Sequence, residues 1–277
     1  MPRPSGLTPG VSGASGLDDY SQERCEEEAM PYSEQQVMSV SRWSDKTFSF
    51  TVTRPAGFAF ESGQFVTLGL KREGKLISRA YSIVSANDAD YLEFLSIHVP
   101  DGPLTSQLVN VQTGDGIWIY SKTTGSLTLK HIRPGRHLYM IATGTGLAPF
   151  MSLIRDPELY RQFAKVVLVH SVRKASELAY RSEIESRCNE QLIYMPTVTR
   201  EPFPVSQRGA ELFRSSELFT MLDLAPADPV HDRVMLCGHP EMNKEMTQYL
   251  RQHAWTMTDH RGVGNFTAEI AFVTHHA

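Results

Sequence analysis

Five short segments bring together residue types that can hold phosphate or an aromatic ring. The first is Arg79-Ala80-Tyr81-Ser82. A guanidinium forks onto pyrophosphate oxygens, and a tyrosine ring offers a flat apolar face with a polar tip. Read as a ligand site, these residues with the Ser82 hydroxyl make a cradle for a flavin nucleotide. Read plainly, they are a strand-edge ion pair and a half-buried tyrosine. The second segment, Ile97 to Ser106, runs through a Pro/Gly turn into Thr105 and Ser106 at a predicted helix start. Hydroxyls and free N–H groups there suit phosphate, and they equally suit an ordinary N-cap.

The third segment is Ala142-Thr143-Gly144-Thr145-Gly146-Leu147-Ala148-Pro149. Glycines between a strand and a helix let backbone approach a phosphate closely. The spacing is not GxGxxG, and a tight strand–helix turn remains the competing reading. The fourth is a set of cationic and hydroxyl residues after later strands: Arg173, Thr199, Arg200 and Arg208. At strand ends of an α/β sheet they would suit the 2′-phosphate that separates NADPH from NADH; singly, each is a solvated surface residue. The fifth is Cys237-Gly238-His239-Pro240, a further strand-to-helix turn. A buried cysteine is usually a small hydrophobe, and no base stands beside it in sequence, so covalent catalysis is not expected.

Two kinds of element must position these residues. From about residue 36 to 133 the chain reads as short strands separated by turns: Thr47–Thr53, Gln64–Leu70, Tyr91–Val99 and Ile117–Tyr120. Even spacing of short strands predicts an antiparallel β-barrel. Beyond Arg133-Pro134-Gly135-Arg136 the pattern changes. A continuous apolar run at Leu138–Ala142 suits a strand buried on both faces, and further strands at Lys165–His170, Leu192–Val198 and Arg233–Cys237 alternate with helices predicted over Leu147–Arg155, Ser176–Cys188 and Glu241–His253. Strands alternating with helices predict a parallel α/β sheet. The expected division is a tail at 1–34, a barrel at 35–134 and an α/β domain at 135–277. The tail is read as disordered, or as residues preceding a true start at Met30.

Composition narrows the function classes. At 41% hydrophobic and 21% charged residues the chain has a globular balance. No apolar run approaches the ~18 residues of a membrane span, and the first residues lack a secretion signal. Residues 1–30 hold six acids against two arginines, which accounts for the whole net charge of −4. The neutral remainder shows no bias towards nucleic acid. The cysteines Cys25, Cys188 and Cys237 form no CxxC pair, against an iron–sulfur or zinc site in this chain and in favour of a reducing, cytoplasmic setting. His275 and His276 at the chain end make a poor metal site.

In order and at compatible spacing, RAYS (79–82), VPDGPLTS (99–106), ATGTGLAP (142–149), VTRE (198–201) and CGHPEM (237–242) resemble the ferredoxin–NADP⁺ reductase family. The likeness is to its bacterial type, which also serves flavodoxin, and it covers residues 35–277. It implies FAD on the barrel, NADPH on the α/β domain, and ferredoxin or flavodoxin as the one-electron partner of a monomer. It implies FAD contacts from Arg79, Ala80, Tyr81, Ser82, Leu95, Ile97, His98, Leu104, Thr105 and Thr145, some through backbone alone. It implies NADP contacts from Gly144, Arg173, Thr199, Arg200, Arg208 and Gly238. Plant-type members end in a tyrosine stacked on the flavin; this chain ends Ala271-Phe272-Val273-Thr274-His275-His276-Ala277. The resemblance places Ala271 near the flavin, Phe272 on the adenine, and Ser82, Cys237 and Glu269 around the hydride pocket. The same module could instead serve an oxygenase, a quinone or a dye-like acceptor. A flavin- or nucleotide-binding sensor is a further reading, since fold does not fix function.

Overall fold

The computed structural model describes residues 31–260 and 262–271. Cys25, Phe272, His275 and His276, and the expectations attached to them, lie outside these.

The first sheet is antiparallel and has six strands. They are β1 (Tyr32–Arg42), β2 (Thr47–Thr53), β3 (Phe65–Arg72), β4 (Lys75–Ser82), β5 (Tyr91–Ile97) and β6 (Gly116–Thr124), in the order β4-β3-β6-β1-β2-β5. The outer strands meet through an Ile83–Phe94 bridge and a bond from the Val84 N–H to the Glu93 carbonyl at 2.8 Å. Closing the seam removes edges that would otherwise pair with another chain. Phe48, Phe50, Val66, Leu68, Phe94, Ile117 and Ile119 fill the inside, with the short helix α1 (Thr105–Leu108) contributing Leu108.

The second sheet is parallel throughout, in the order β11-β10-β7-β8-β9. Its strands are β7 (His137–Thr143), β8 (Lys165–Val172), β9 (Leu192–Val198), β10 (Arg233–Gly238) and β11 (Phe266–Ile270). Helices α2 (Ala148–Ile154), α3 (Pro157–Gln162), α4 (Arg181–Arg187), α5 (Gly209–Arg214), α6 (Glu217–Met221) and α7 (Pro240–Gln252) complete the domain. Two clusters pack against its opposite faces. One contains Leu138, Met140, Phe150, Leu153, Leu168 and Ile184, the other Tyr139, Ile141, Val167, Val169, Phe213 and Leu250. Val84 and Leu95 from the barrel side complete the first cluster.

The helix expected over Ser176–Cys188 is broken. A 3₁₀ turn at Ala175–Glu177 is followed by Tyr180 at φ 58°, and only then by α4. The competing pulls are local and tertiary. Glu177 accepts the Arg173 N–H at 3.0 Å and the Lys174 N–H at 3.3 Å. Tyr180 turns inward, its hydroxyl on Glu93 at 2.8 Å and its ring 4.6 Å from that of Trp43. Those contacts outweigh the modest propensity of one more helical turn.

Candidate active site

The parallel sheet reverses its winding between β7 and β10. At such a reversal the carboxyl ends of two adjacent strands open onto a crevice. Past Ala142, level with Cys237 in the ladder, the chain turns through Thr143, Gly144 and Thr145. Gly144 sits at φ +55°, a conformation that disfavours a side chain, and nothing lies within 4 Å of where its Cβ would be. A Cβ on Gly146 would overlap the Cys237 carbonyl, so only glycine lets the turn lie against β10. Thr143 Oγ1 accepts the His239 N–H at 2.7 Å. On the other side His170 of β8 reaches the Gly144 carbonyl at 3.0 Å. The turn is tied to both neighbouring strands and leaves Gly144 exposed: a surface shaped for close approach by a ligand.

Cys237 and Glu269 are register partners on β10 and β11. Cys237 is buried among apolar residues; burial and the neighbouring Glu269 charge push its thiol well above the ordinary range. It stays a neutral thiol. Glu269 leaves the sheet sideways. Its Oε1 accepts the Ser126 N–H, the Ser126 hydroxyl at 3.1 Å and the Leu127 N–H at 3.3 Å, all in the connection after β6. Burial raises this carboxyl above the usual range while those donors pull it back. The Asn243 side chain donates to the Glu269 carbonyl at 2.6 Å, and the Ala271 N–H reaches the Gly238 carbonyl at 3.2 Å.

The barrel side joins at the same place. Phe65 pairs with Ser82 on β4 and with Thr124 on β6. A Cβ on the next residue, Gly125, would stand 3.2 Å from the Phe65 ring and 3.3 Å from Glu269 Oε1, so this glycine sits close against both. Ser82, Glu269, Cys237 and Ala271 thus fall in one connected neighbourhood. Arg79 and Ala80 are exposed, and the Arg79 guanidinium donates to the adjacent Ser78 carbonyl at 2.7 Å. Among the described residues it has no carboxylate partner, so the plain ion-pair reading does not describe it. Tyr81 is half-buried at the barrel seam, its ring edge-on to Phe94 and its hydroxyl 3.1 Å from Ser96 Oγ; burial raises its pKa.

The remaining cradle residues differ in availability. Ile97 and His98 are partly exposed. Leu95 and Leu104 are buried in the two cores, so a ligand would meet them through backbone. Thr105 does not cap α1; its hydroxyl donates to the Val99 carbonyl at 3.1 Å.

The cationic group lies past β8 and β9 and at the start of α5. The Arg200 N–H bonds the Arg173 carbonyl at 2.9 Å and the Thr199 N–H bonds the Val172 carbonyl at 3.0 Å, holding the two strand ends together. Arg173, Arg200 and Arg208 are exposed, and among the described residues none is in an ion pair. The nearby acids are occupied by backbone: Glu177 as described, and Glu201 by the Ala175 N–H at 2.7 Å. Three exposed guanidiniums, unpaired among the described residues, suit an external anion.

Sequence reasoning did not single out Ser126 and Leu127, His170, or the half-buried Arg155. His170 carried a signal, being a lone polar ring in an otherwise apolar strand run. Arg155 forks onto Glu183 at 2.9 and 2.7 Å and onto Glu93 at 2.7 Å, and also bonds the Val84 carbonyl at 2.9 Å. It clamps the barrel to the α/β domain.

Two family models divide the chain: an oxidoreductase FAD-binding domain over residues 34–128 and an oxidoreductase NAD-binding domain over 140–248. The ferredoxin–NADP reductase of Pseudomonas aeruginosa is 45% identical over 250 residues, 86% of this chain and 97% of that protein. That of Azotobacter vinelandii is 46% identical with the same coverage. A ferredoxin–NADP⁺ reductase from Neisseria gonorrhoeae, solved with bound FAD and NADP, superposes with a TM-score of 0.83 at 32% identity, over 87% of this chain and 99% of that one. With both nucleotide-domain models matched in this order on the chain, and relatives 45–46% identical along nearly their whole length, the chain belongs to the ferredoxin–NADP⁺ reductase family.

Proposed function

We propose that the chain exchanges electrons between NADPH and ferredoxin or flavodoxin, working as a cytoplasmic monomer, with residues 35–134 holding FAD and 135–277 holding NADPH. The observation that carries this reading is the Glu269–Ser126 connection, which sets the end of the parallel sheet against the barrel beside the glycine turn. FAD, when bound, supplies the conversion between a two-electron hydride and single electrons.

The residues fit both groups. Arg79, without a carboxylate partner among the described residues, has an exposed guanidinium for the pyrophosphate, and Tyr81 and Ser82 stand beside it on β4. Thr145 and Gly144 offer an open turn. Arg173, Thr199, Arg200 and Arg208 would hold the 2′-phosphate, and Gly238 would let the dinucleotide lie across β10. Cys237, neutral and buried, closes the pocket wall without adding charge. Ser82, Glu269 and Ala271 would border the place where the nicotinamide meets the flavin. The work of these groups is orientation and exclusion of water, which bring donor and acceptor into reactive distance.

The test is anaerobic stopped-flow reduction by NADPH and by NADH, followed near ~450 nm where oxidised flavin absorbs. Fast bleaching by NADPH and much slower bleaching by NADH are expected. A yellow protein bleached by neither would remove the reductase reading and favour the sensor.

A further inference from the structure

His170 occupies an unusual position for an ionisable ring. It lies on β8, the central portion of which is otherwise Val and Leu, and it is 1% exposed. Its register partners are Ala142 on β7 and Pro196 on β9. A buried imidazole is costly unless both nitrogens are satisfied. Here Nε2 faces the Gly144 carbonyl at 3.0 Å and Nδ1 faces the Tyr194 hydroxyl at 3.4 Å. A carbonyl only accepts, so Nε2 carries the hydrogen, and Nδ1 receives the tyrosine O–H. Burial holds the ring neutral, with its pKa lowered to about 4 against the opposing pull of the Gly144 carbonyl.

The consequence runs through one peptide plane. The Gly144 carbonyl and the Thr145 N–H belong to the same planar trans peptide and point in opposite directions. Anchoring the carbonyl on His170 therefore turns the Thr145 N–H away from β8, towards the exposed side of the turn. Gly144 at φ +55° has no side chain to hold that plane, and glycine readily rotates. The other two anchors of the turn, Thr143 on His239 and Gly146 against Cys237, fix its ends and lie on the β10 side. His170 is the tie to β8.

We propose that His170 is a positioning residue for hydride transfer: by holding the Gly144 carbonyl it fixes the Thr145 N–H as an outward donor to the bound nucleotides. This rests on the reductase reading above. Tyr194, by occupying Nδ1, sets the tautomer that makes the tie.

The test uses FAD-loaded protein and the pair His170→Gln and His170→Asn. The glutamine amide reaches the place of Nε2 and can donate to Gly144; the asparagine amide stops at the place of Nδ1. FAD content and the flavin spectrum check folding. NADP⁺ affinity by difference spectroscopy and the rate of flavin reduction by NADPH are the readouts. His170→Asn should lose about 10–100-fold in the reduction rate, the scale of a misplaced reacting group, and His170→Gln should recover most of it. Tyr194→Phe, which keeps the core filled, should show a smaller loss in the same rate. Equal impairment of Gln and Asn, or wild-type rates in Asn or in Tyr194→Phe, would overturn the assignment. Failure of NADPH to reduce the unmodified protein would instead remove the reductase reading, and this inference with it.

Discussion

Glu269 accepts the Ser126 hydroxyl at 3.1 Å, and this bond crosses from the last strand of the parallel sheet to the connection leaving the barrel. The same carboxylate oxygen takes the Ser126 and Leu127 N–H groups. Glu269→Ala would leave those donors without their acceptor, at about 1–3 kcal/mol for buried groups. Glu269→Gln keeps an acceptor oxygen and should cost less. Urea unfolding gives the stabilities, and stopped-flow reduction tells whether the junction also sets the hydride rate. Alanine as stable as wild type would show that the bond contributes nothing to holding the sheets together.

Arg155 is the second tie across the junction. Its guanidinium lies between Glu93 of the barrel and Glu183 of α4. Burial opposes charge here, yet the partners keep Arg155 firmly protonated, and Glu183 stays below the usual carboxyl range against its own burial. Arg155→Met strands acids at a largely buried site, and the cost should be about 3–5 kcal/mol. Adding Glu93→Gln should recover part of that loss, since the pair shares one network. A double-mutant cycle by denaturant unfolding measures the coupling; strictly additive effects would contradict the clamp.

The alternation of elements was plain in the sequence. Thr47–Thr53 and Leu192–Val198 are strands with the bounds their patterns predict, because short runs rich in β-branched and aromatic residues between turn signals favour strands. The glycine turn and the two strand ends were visible because glycine and arginine carry their reason locally. What stayed hidden depends on pairs distant along the chain. Ser126 gives no hint that it will meet Glu269, 143 residues on. Arg155 reads as a helix-end cation until Glu93 is brought to it. The break at Tyr180 was equally hidden, because its cause is a contact with the barrel, while helical spacing across Ser176–Cys188 is unexceptional.

Gly146 tests how closely the turn must approach β10. A Cβ there overlaps a backbone carbonyl that has no side-chain freedom to move aside. Gly146→Ala should cost about 1–3 kcal/mol and weaken NADP⁺ binding. Gly144→Ala meets open space and carries only the left-handed backbone penalty, ~1–2 kcal/mol. Thermal unfolding and NADP⁺ titration on both variants separate the two causes. A tolerant Gly146→Ala would mean that the turn can lift away without consequence.

The exposed guanidiniums at the sheet end predict cofactor choice. Arg200→Ala and Arg208→Ala should each raise KM for NADPH about tenfold, the loss of one charge-assisted contact at ~1.4 kcal/mol. KM for NADH should barely change, because that cofactor lacks the phosphate. Steady-state kinetics with a dye acceptor resolves this. Parallel losses for both cofactors would mean that the arginines shape the loop and do not bind the phosphate.

The neutral His170 predicts an acid-side weakness of the fold. In the unfolded chain histidine protonates near ~6.5, whereas in the folded protein burial lowers the value to about 4. Between these limits the unfolded chain binds more protons, so stability is full above pH ~6.5 and is lost as pH falls towards 4. One such group accounts for about 3 kcal/mol at the acid end. His170→Gln has no proton to take up there. Its stability relative to wild type should therefore improve steadily as urea unfolding is repeated from pH 7.5 down to 4.5, even if it starts lower at neutral pH. Parallel pH curves for the two proteins would show that the ring takes up its proton without resisting, and the buried tie to Gly144 would then be wrong.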